Sequence, residues 1–261
     1  MKQASLARMA EFGIVPDREL GQNFLVDDNV LGMIGRLAEP AAGEVVVEVG
    51  PGLGVLTDWL AARAGHVHAI EIDRRLEPAL RASLAGRTNV TLRFADALDV
   101  DLSTLVPRPS ALIANLPYGV ATPVVMEALP VCERFCVMVQ REIADRLFAQ
   151  PATPAYGAVS VLIGLSCERT GRRAVSRRVF APQPNVDSAL VAFRRLPDFP
   201  PPERWEWVRR VVQGAFAHRR KTLANSLALA GLPAPPADIA GMRAEQLPPA
   251  RFARLAEELA A

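Results

Sequence analysis

Val45-Val46-Val47-Glu48-Val49-Gly50-Pro51-Gly52-Leu53-Gly54-Val55-Leu56-Thr57 is an apolar run that stops at three glycines and reopens with helical spacing. It reads as the strand, tight turn and helix of a nucleotide-binding unit, because glycine reaches backbone conformations closed to other residues and leaves no Cβ in a ligand's way. Doubly wound sheets bind ligands beyond the carboxyl ends of their strands, which puts Gly50, Gly52 and Gly54 at the expected site. Close packing of strand on helix uses the same residues, so the loop alone does not decide. Its spacing narrows the choice: a dinucleotide fingerprint would carry its third glycine at position 55, where Val55 stands, so the loop is not shaped to cradle a pyrophosphate. A second apolar run, Val67 to Ile70, ends at Glu71, an acid placed to accept hydrogen bonds from ribose hydroxyls. Asp73 is expected to cap the helix that follows.

At 261 residues, 50% hydrophobic and 22% charged, the chain can bury a sizeable core and has room for a smaller second domain. No basic leader runs into an apolar segment and no run of 18 apolar residues occurs, so neither export nor a membrane partner is expected and the chain reads as cytoplasmic. Cys132, Cys136 and Cys167 form no ligand-spaced cluster with His66, His68 or His218, and their odd number argues against a disulfide framework; buried thiols and no metal are expected. The net charge of +2 hides an uneven distribution, since Arg169, Arg172, Arg173, Arg177 and Arg178 fall in one segment without an acid. That segment is either a phosphate-binding patch or a solvated loop in an arginine-biased chain, Lys2 and Lys221 being the only lysines among 30 basic residues.

The alternation of short apolar runs with helical stretches from 44 to 140 predicts an α/β fold, a mostly parallel Rossmann-like sheet covered on both faces. Strands are expected at 44–49, 67–72, 90–94, 110–114 and 135–140, with 157–167 and 188–194 completing the sheet as an antiparallel edge pair. Residues 1–19 predict an arm or short helix, and Asp27, Asp28 and Asn29 offer caps for a helix with Val30, Ile34 and Leu37 on its apolar face. Prolines at 197, 200, 201 and 202 mark a linker, which divides the chain into a domain over 1–196 and a helical domain over 197–261. In the latter, one helix carries Val208, Val211, Val212, Ala215 and Phe216, a second runs from Lys221 to a stop at Gly231, and a last one carries Phe252, Leu255, Ala256 and Leu259.

Asn115-Leu116-Pro117-Tyr118 follows the fourth strand, at the end that faces the ligand crevice. Asn-x-Pro is also a common turn initiator. The chemical alternative is methylation of an exocyclic amine, whose lone pair is delocalised into the ring until two aligned acceptors hold its hydrogens and let the nitrogen become tetrahedral. The side-chain oxygen of Asn115 and the main-chain carbonyl of Leu116 could be those acceptors, with Pro117 stiffening the turn and Tyr118 stacking on the base. No general base is needed, because the proton becomes acidic only once the methyl has arrived.

Taken in order, GQNFL at 21–25, EVGPGLGVLT at 48–57, IEID at 70–73, ADAL at 95–98 and NLPY at 115–118 resemble the rRNA adenine N6,N6-dimethyltransferases. VFAPQPNVDSALV at 179–191 and HRRKTLANSL at 218–227 resemble the KsgA type, which dimethylates two adjacent adenines near the 3′ end of small-subunit rRNA. The resemblance runs from about residue 18 to the C-terminus. It implies S-adenosylmethionine as donor, with Gln22, Asn23 and Leu25 closing over it, Gly50 and its neighbours under the methionine part, Glu71 and Ile72 at the ribose, and Asp96 and Ala97 at the adenine. Asn115 would serve donor and target together, while Tyr118 and Phe180 would sandwich a target adenine swung out of its stack. The implied partner is small-subunit rRNA in a pre-30S or 30S-like particle, met by a monomer. Its phosphates would be tracked by Arg172, Arg173, Arg177, Arg178, Arg219, Arg220 and Lys221, expected to line one basic cleft between the domains.

Asp17-Arg18-Glu19 stands where relatives commonly carry basic residues, Gly119 where they carry Asn, and Ala224 where arginine is frequent, which bears on RNA contact at the arm. The nearest alternative is the related Erm type, which methylates an adenine of large-subunit rRNA; VDSALV and RRKTLANSL favour the KsgA type. A ribosome-assembly or nucleic-acid-binding relative with a vestigial donor site is the reading from another class, against which Glu71, Asp96 and NLPY all stand intact. Val55 and the lack of a hydride-transfer constellation disfavour a nicotinamide dehydrogenase.

Overall fold

The computed structural model describes residues 4–260. Its strands are β1 (Phe24–Leu25), β2 (Val45–Val49), β3 (His66–Glu71), β4 (Val90–Phe94), β5 (Ala111–Asn115), β6 (Arg134–Gln140), β7 (Cys167–Val175), β8 (Phe180–Ala181) and β9 (Ser188–Arg195). The main helices are α1 (Ala4–Glu11), α2 (Asn29–Ala38), α3 (Val55–Ala61), α4 (Glu77–Ser83), α5 (Ala121–Ala128), α6 (Arg141–Leu147), α7 (Ala158–Ser166), α8 (Pro202–Phe216), α9 (Leu223–Leu229), α10 (Ala237–Ala240) and α11 (Pro249–Glu258).

Seven strands form one sheet in the order β4-β3-β2-β5-β6-β9-β7. The β4-to-β6 pairings are all parallel, and β9 runs antiparallel to β6. The chain moves outward from β2 to β3 and β4, then returns to the other side of β2 for β5, so the strand order reverses between β2 and β5. The carboxyl ends of those two strands lead into Gly50 and Leu116, and a switch point of this kind opens the crevice in which α/β sheets bind ligands. Strands buried on both faces explain the near-continuous runs of Val, Ile and Ala in β2, β3 and β5. Val30 and Ile34 of α2 and Leu60 of α3 pack with Val46, Val67, Ile113 and Met138 in one buried cluster. The Rossmann-like class expected from the alternating pattern is the fold observed.

Residues 157–167 depart from the expectation of a strand: they form α7, and the strand that completes the sheet edge is β7, immediately after it. A short continuous apolar run does not distinguish a buried strand from a buried helix. Here Ser160 Oγ accepts from the Gly157 N–H at 3.2 Å and donates to the Arg146 carbonyl at 2.6 Å, which fixes a helical start. Val161, Leu162 and Ile163 are then buried, and α7 packs on α8 and α11.

This moves the domain division as well. The two compact units are residues 1–141 with 169–194, and residues 142–168 with 195–261, so the expected break at 196/197 is replaced by a discontinuous one. Segment 142–168 belongs with the C-terminal helices because an apolar helix buries its surface best against other helices. In that unit the Tyr156 hydroxyl donates to the Leu247 carbonyl at 2.7 Å, and Phe216 lies between Tyr156 and Phe252, with ring centroids 5.9 and 5.6 Å away. The three cysteines are buried and free, as expected. Among the described residues no helix is long and apolar enough to cross a membrane, and no cluster could hold a metal ion.

Candidate active site

Two cavities of the first unit meet at the ends of β2, β3 and β5. They share Leu20, Gly21, Gly50, Glu71, Ile72 and Pro117. The inner one runs under the N-terminal arm, where Gln22, Asn23 and Leu25 face Gly52, Asn115 and Leu116. The outer one, about 380 Å³, reaches Asp96 and Ala97 after β4. The inner cavity thus follows the glycine loop and the arm, and the outer one runs from Glu71 to Asp96.

The loop is held from both sides. The Gly50 N–H donates to the Ile70 carbonyl at 2.9 Å. Gly50 and Gly52 have φ of 74° and 58°, in the region where a side chain is strained. A Cβ on Gly50 would meet the Pro117 ring at 3.1 Å and one on Gly52 the Phe24 ring at 3.1 Å. The glycines therefore admit the Asn115–Tyr118 loop and the arm at close range, in addition to leaving room for a ligand. Glu71, 5% exposed at the end of β3, accepts from the Gly52 N–H at 3.0 Å through Oε2 and from the Asp73 N–H at 2.9 Å through Oε1. Burial pushes its carboxyl above the usual range, and these amides act against the shift. Each oxygen retains acceptor capacity for a ribose hydroxyl.

The arm is anchored at several points. Ser5 Oγ donates to the Leu25 carbonyl at 2.5 Å, and β1 pairs antiparallel with β8, Leu25 opposite Phe180. Gln22 Nε2 donates to Asp73 Oδ2 at 2.7 Å while Gln22 Oε1 accepts from the Asp17 N–H at 2.8 Å, so both ends of this amide bind protein. Gln22 thus bears on the inner cavity by fixing the arm. Asp73 caps the turn after β3, as expected, accepting from the Arg75 N–H at 3.0 Å. Asp96 does the same after β4, accepting from the Leu98 N–H at 2.9 Å.

At the end of β5, Asn115, Pro117 and Tyr118 are half-buried and Leu116 is 1% exposed. The Leu116 N–H donates to the Met138 carbonyl at 3.0 Å, and the Tyr118 hydroxyl is 2.8 Å from Ser188 Oγ. Phe180 is placed otherwise than expected. It is 4% exposed in the cluster with Leu25, Val30, Ile34 and Leu190, so its ring offers no open face for a base in this conformation. The β1–β8 pairing, invisible to local sequence, is what covers it.

One wall residue escaped the sequence reading: Glu48, 1% exposed, inside the inner cavity. An acid next to the end of an otherwise all-valine strand was the available signal. Glu48 and Glu71 are the acidic side chains of that wall, which carries no basic group. Such a wall fits a cationic ligand, as a sulfonium donor with an α-ammonium group is.

A family model for ribosomal RNA adenine dimethylases matches residues 17–261. The chain belongs to that family. It is 44% identical over 263 residues to the ribosomal RNA small subunit methyltransferase A of Thermobifida fusca, covering 95% of this chain and 92% of that one. It is 43% identical over 232 residues to the protein of the same name from Lactiplantibacillus plantarum, covering 85% and 78%. Among solved structures, the 23S rRNA methyltransferase ErmE superposes with a TM-score of 0.65 at 29% identity, covering 92% of this chain and all of that one. A dimethyladenosine transferase from Plasmodium falciparum shares the fold, with a TM-score of 0.70 at 23% identity over 90% and 96% of the two chains.

In this rRNA adenine dimethylase the first arginine group is not a loop. Arg172 and Arg173 lie on β7, and Arg177 and Arg178 on the short turn before β8. Arg177 Nη1 donates to the Asn185 carbonyl at 3.0 Å. In the second unit Arg219, Arg220 and Lys221 are exposed in the turn between α8 and α9. Arg219 is tied down there, 3.4 Å from Glu245 and donating to the Pro154 carbonyl at 2.7 Å.

Proposed function

We propose that this enzyme transfers methyl groups from S-adenosylmethionine to the N6 amines of two adjacent adenines near the 3′ end of small-subunit rRNA, within a pre-30S or 30S-like particle in the cytoplasm. The observation that carries the reading is the 43–44% identity to small-subunit methyltransferases over most of both chains, together with an intact Asn115-Leu116-Pro117-Tyr118 loop at the donor cavity. When bound, the donor supplies an electrophilic methyl. Glu71 accepts from its ribose and Asp96 from its adenine amine. Gly50 and Gly52 underlie the amino-acid tail.

The Asn115 side-chain oxygen and the Leu116 carbonyl accept the two N6 hydrogens of the target. This favours the tetrahedral nitrogen that attacks, and one proton leaves after the methyl is transferred. Tyr118 stacks on the base, with its hydroxyl steadied by Ser188. Arg172, Arg173, Arg177 and Arg178 of the first unit, and Arg220 and Lys221 of the second, contact phosphates. Such contacts position RNA without reading its sequence.

Labelled donor offered to small subunits, large subunits and free rRNA in parallel, followed by mapping of the modified base, tests the proposal. Dimethylation of adjacent small-subunit adenines is expected. Labelling of a single large-subunit adenine would establish the Erm-type reading instead.

A further inference from the structure

The rim of the sheet beside Asn115 carries contacts that the site described above does not use. Asn115 lies opposite Met138 in the parallel β5–β6 pairing, and Gln140 lies opposite Ser188 in the antiparallel β6–β9 pairing. Ser188 Oγ is the atom 2.8 Å from the Tyr118 hydroxyl. Next to it in sequence, the Asp187 main-chain carbonyl accepts from the Arg141 N–H at 3.0 Å, and Asp187 Oδ1 accepts from the Arg177 N–H at 3.0 Å. Asp187 thus spaces two arginines of separate elements, the first residue of α6 and the turn before β8, beside the residue that touches Tyr118.

Arg177 is partly engaged, since its Nη1 donates to the Asn185 carbonyl at 3.0 Å. Arg141 is exposed, and among the described residues its guanidinium has no hydrogen-bond or ion-pair partner. Arg75, Arg87, Arg134 and Arg146, by contrast, each sit against an acid. The acid that follows Arg141, Glu142, is the one taken by Arg146. Two guanidinium groups against the single Asp187 carboxylate leave this rim positive. Because β5 and β6 are parallel, Arg141 leaves the same edge of the sheet as Asn115, about 10 Å beyond Met138 along the strand direction. The amine of an adenine and its glycosidic nitrogen lie at opposite ends of the base. A base with its amine at Asn115 and its ring on Tyr118 therefore leaves its sugar and phosphate outside, on the side where Arg141 stands.

We propose that Arg141 is a phosphate ligand for the nucleotide being methylated, taking the phosphodiester next to the target adenosine while Arg177, across Asp187, takes the strand beside it. This rests on rRNA as the substrate and on Asn115–Tyr118 as the target site. Such a contact reads no sequence, but only the strand whose base has left its stack can make it. Arg141 therefore acts on the delivery of the base more than on the holding of the particle. Asp187 is the positioning residue of the pair.

Unmethylated small ribosomal subunits, saturating S-adenosylmethionine and the whole protein test this through two readouts, the Kd for subunits and the single-turnover transfer rate at saturating enzyme. Arg141→Gln should leave the Kd within about twofold and slow transfer by about tenfold. Arg141→Lys, which restores a point charge without the fork, should recover part of the rate. Added salt should slow saturated transfer by the parent more than by Arg141→Gln. An exposed, unpaired side chain contributes little to folding, and unchanged S-adenosylmethionine affinity of each variant checks this. A transfer rate equal to the parent's, a raised Kd with no loss of rate, or a Lys variant as slow as the Gln variant would each overturn the proposal. If the parent labels large subunits instead, the small-subunit reading fails, and the same comparison made on large subunits still decides for Arg141. A parent that methylates neither would remove both.

Discussion

Gln22 Nε2 donates to Asp73 Oδ2 at 2.7 Å across 51 positions of sequence, and this bond ties the N-terminal arm to the turn that follows β3. Arg75 extends the tie, reaching Asp73 and Asp17 at 2.8 Å each. Asp73 also gives its N–H to Glu71, so the arm and Glu71 share one network. Asp17 and Arg75 are accessible to water, so their pair contributes little alone. The buried Asp73 carboxylate carries the connection. Asp73→Asn should raise the donor Kd by roughly three- to tenfold and speed donor release. Asp17→Asn should do much less. Stopped-flow measurement of donor dissociation compares them, and equal rates for Asp73→Asn and the parent would show that the arm closes without this bond.

Glu71 has two duties. Removing it frees the Gly52 and Asp73 amides and, in the proposed function, takes away the ribose acceptor as well. Glu71→Ala should weaken donor binding by about 1–3 kcal/mol. Calorimetry on folded variant protein measures the loss. Unchanged affinity would remove Glu71 from the donor site.

In the proposed mechanism Asn115 acts mainly as the target nitrogen becomes tetrahedral, so turnover should suffer more than affinity. Asn115→Ala is expected to bind rRNA normally while single-turnover transfer slows by about 10²-fold or more. Near-normal transfer by that variant would end the proposed role of its side-chain oxygen.

Phe180 and Tyr118 should respond differently to truncation. Phe180 is buried in the cluster that α2 shares with the sheet, so Phe180→Ala should cost about 3–5 kcal/mol of stability. Tyr118 is half-buried, with one hydroxyl contact to Ser188, and Tyr118→Ala should cost far less stability while impairing methyl transfer. Denaturant titrations separate the two. A Phe180→Ala protein as stable as the parent would mean that the ring is not a core residue in solution.

The turn between α8 and α9 offers a second contrast. All three side chains are exposed, but Arg219 is held by Glu245 and Pro154. Neutralising Arg220 and Lys221 together should weaken binding to small subunits and reduce the log–log salt slope by roughly one unit per lost phosphate contact, with donor affinity unchanged. Neutralising Arg219 should chiefly destabilise the turn. An unchanged salt slope in the double variant would make this turn an ordinary solvated helix end.

Local sequence determined the strand–glycine–helix unit, the strand-end acids Glu71 and Asp96, and the loop Asn115–Tyr118, because each is specified by residues a few positions apart: an apolar run, a backbone only glycine adopts, a cap, a proline turn. The parallel sheet was legible for the same reason, its buried strands being continuous in Val, Ile and Ala. Tertiary structure alone decided the rest. An apolar run such as 157–167 suits a strand or a buried helix equally, and only the available partners, α8 and α11, settle it as α7. The covering of Phe180 and the Gln22–Asp73 bond depend on pairings between distant segments that no local pattern encodes. Glu48 shows the same limit at one residue. The sequence marks an acid among valines, but only the fold removes it from water with one oxygen unpaired.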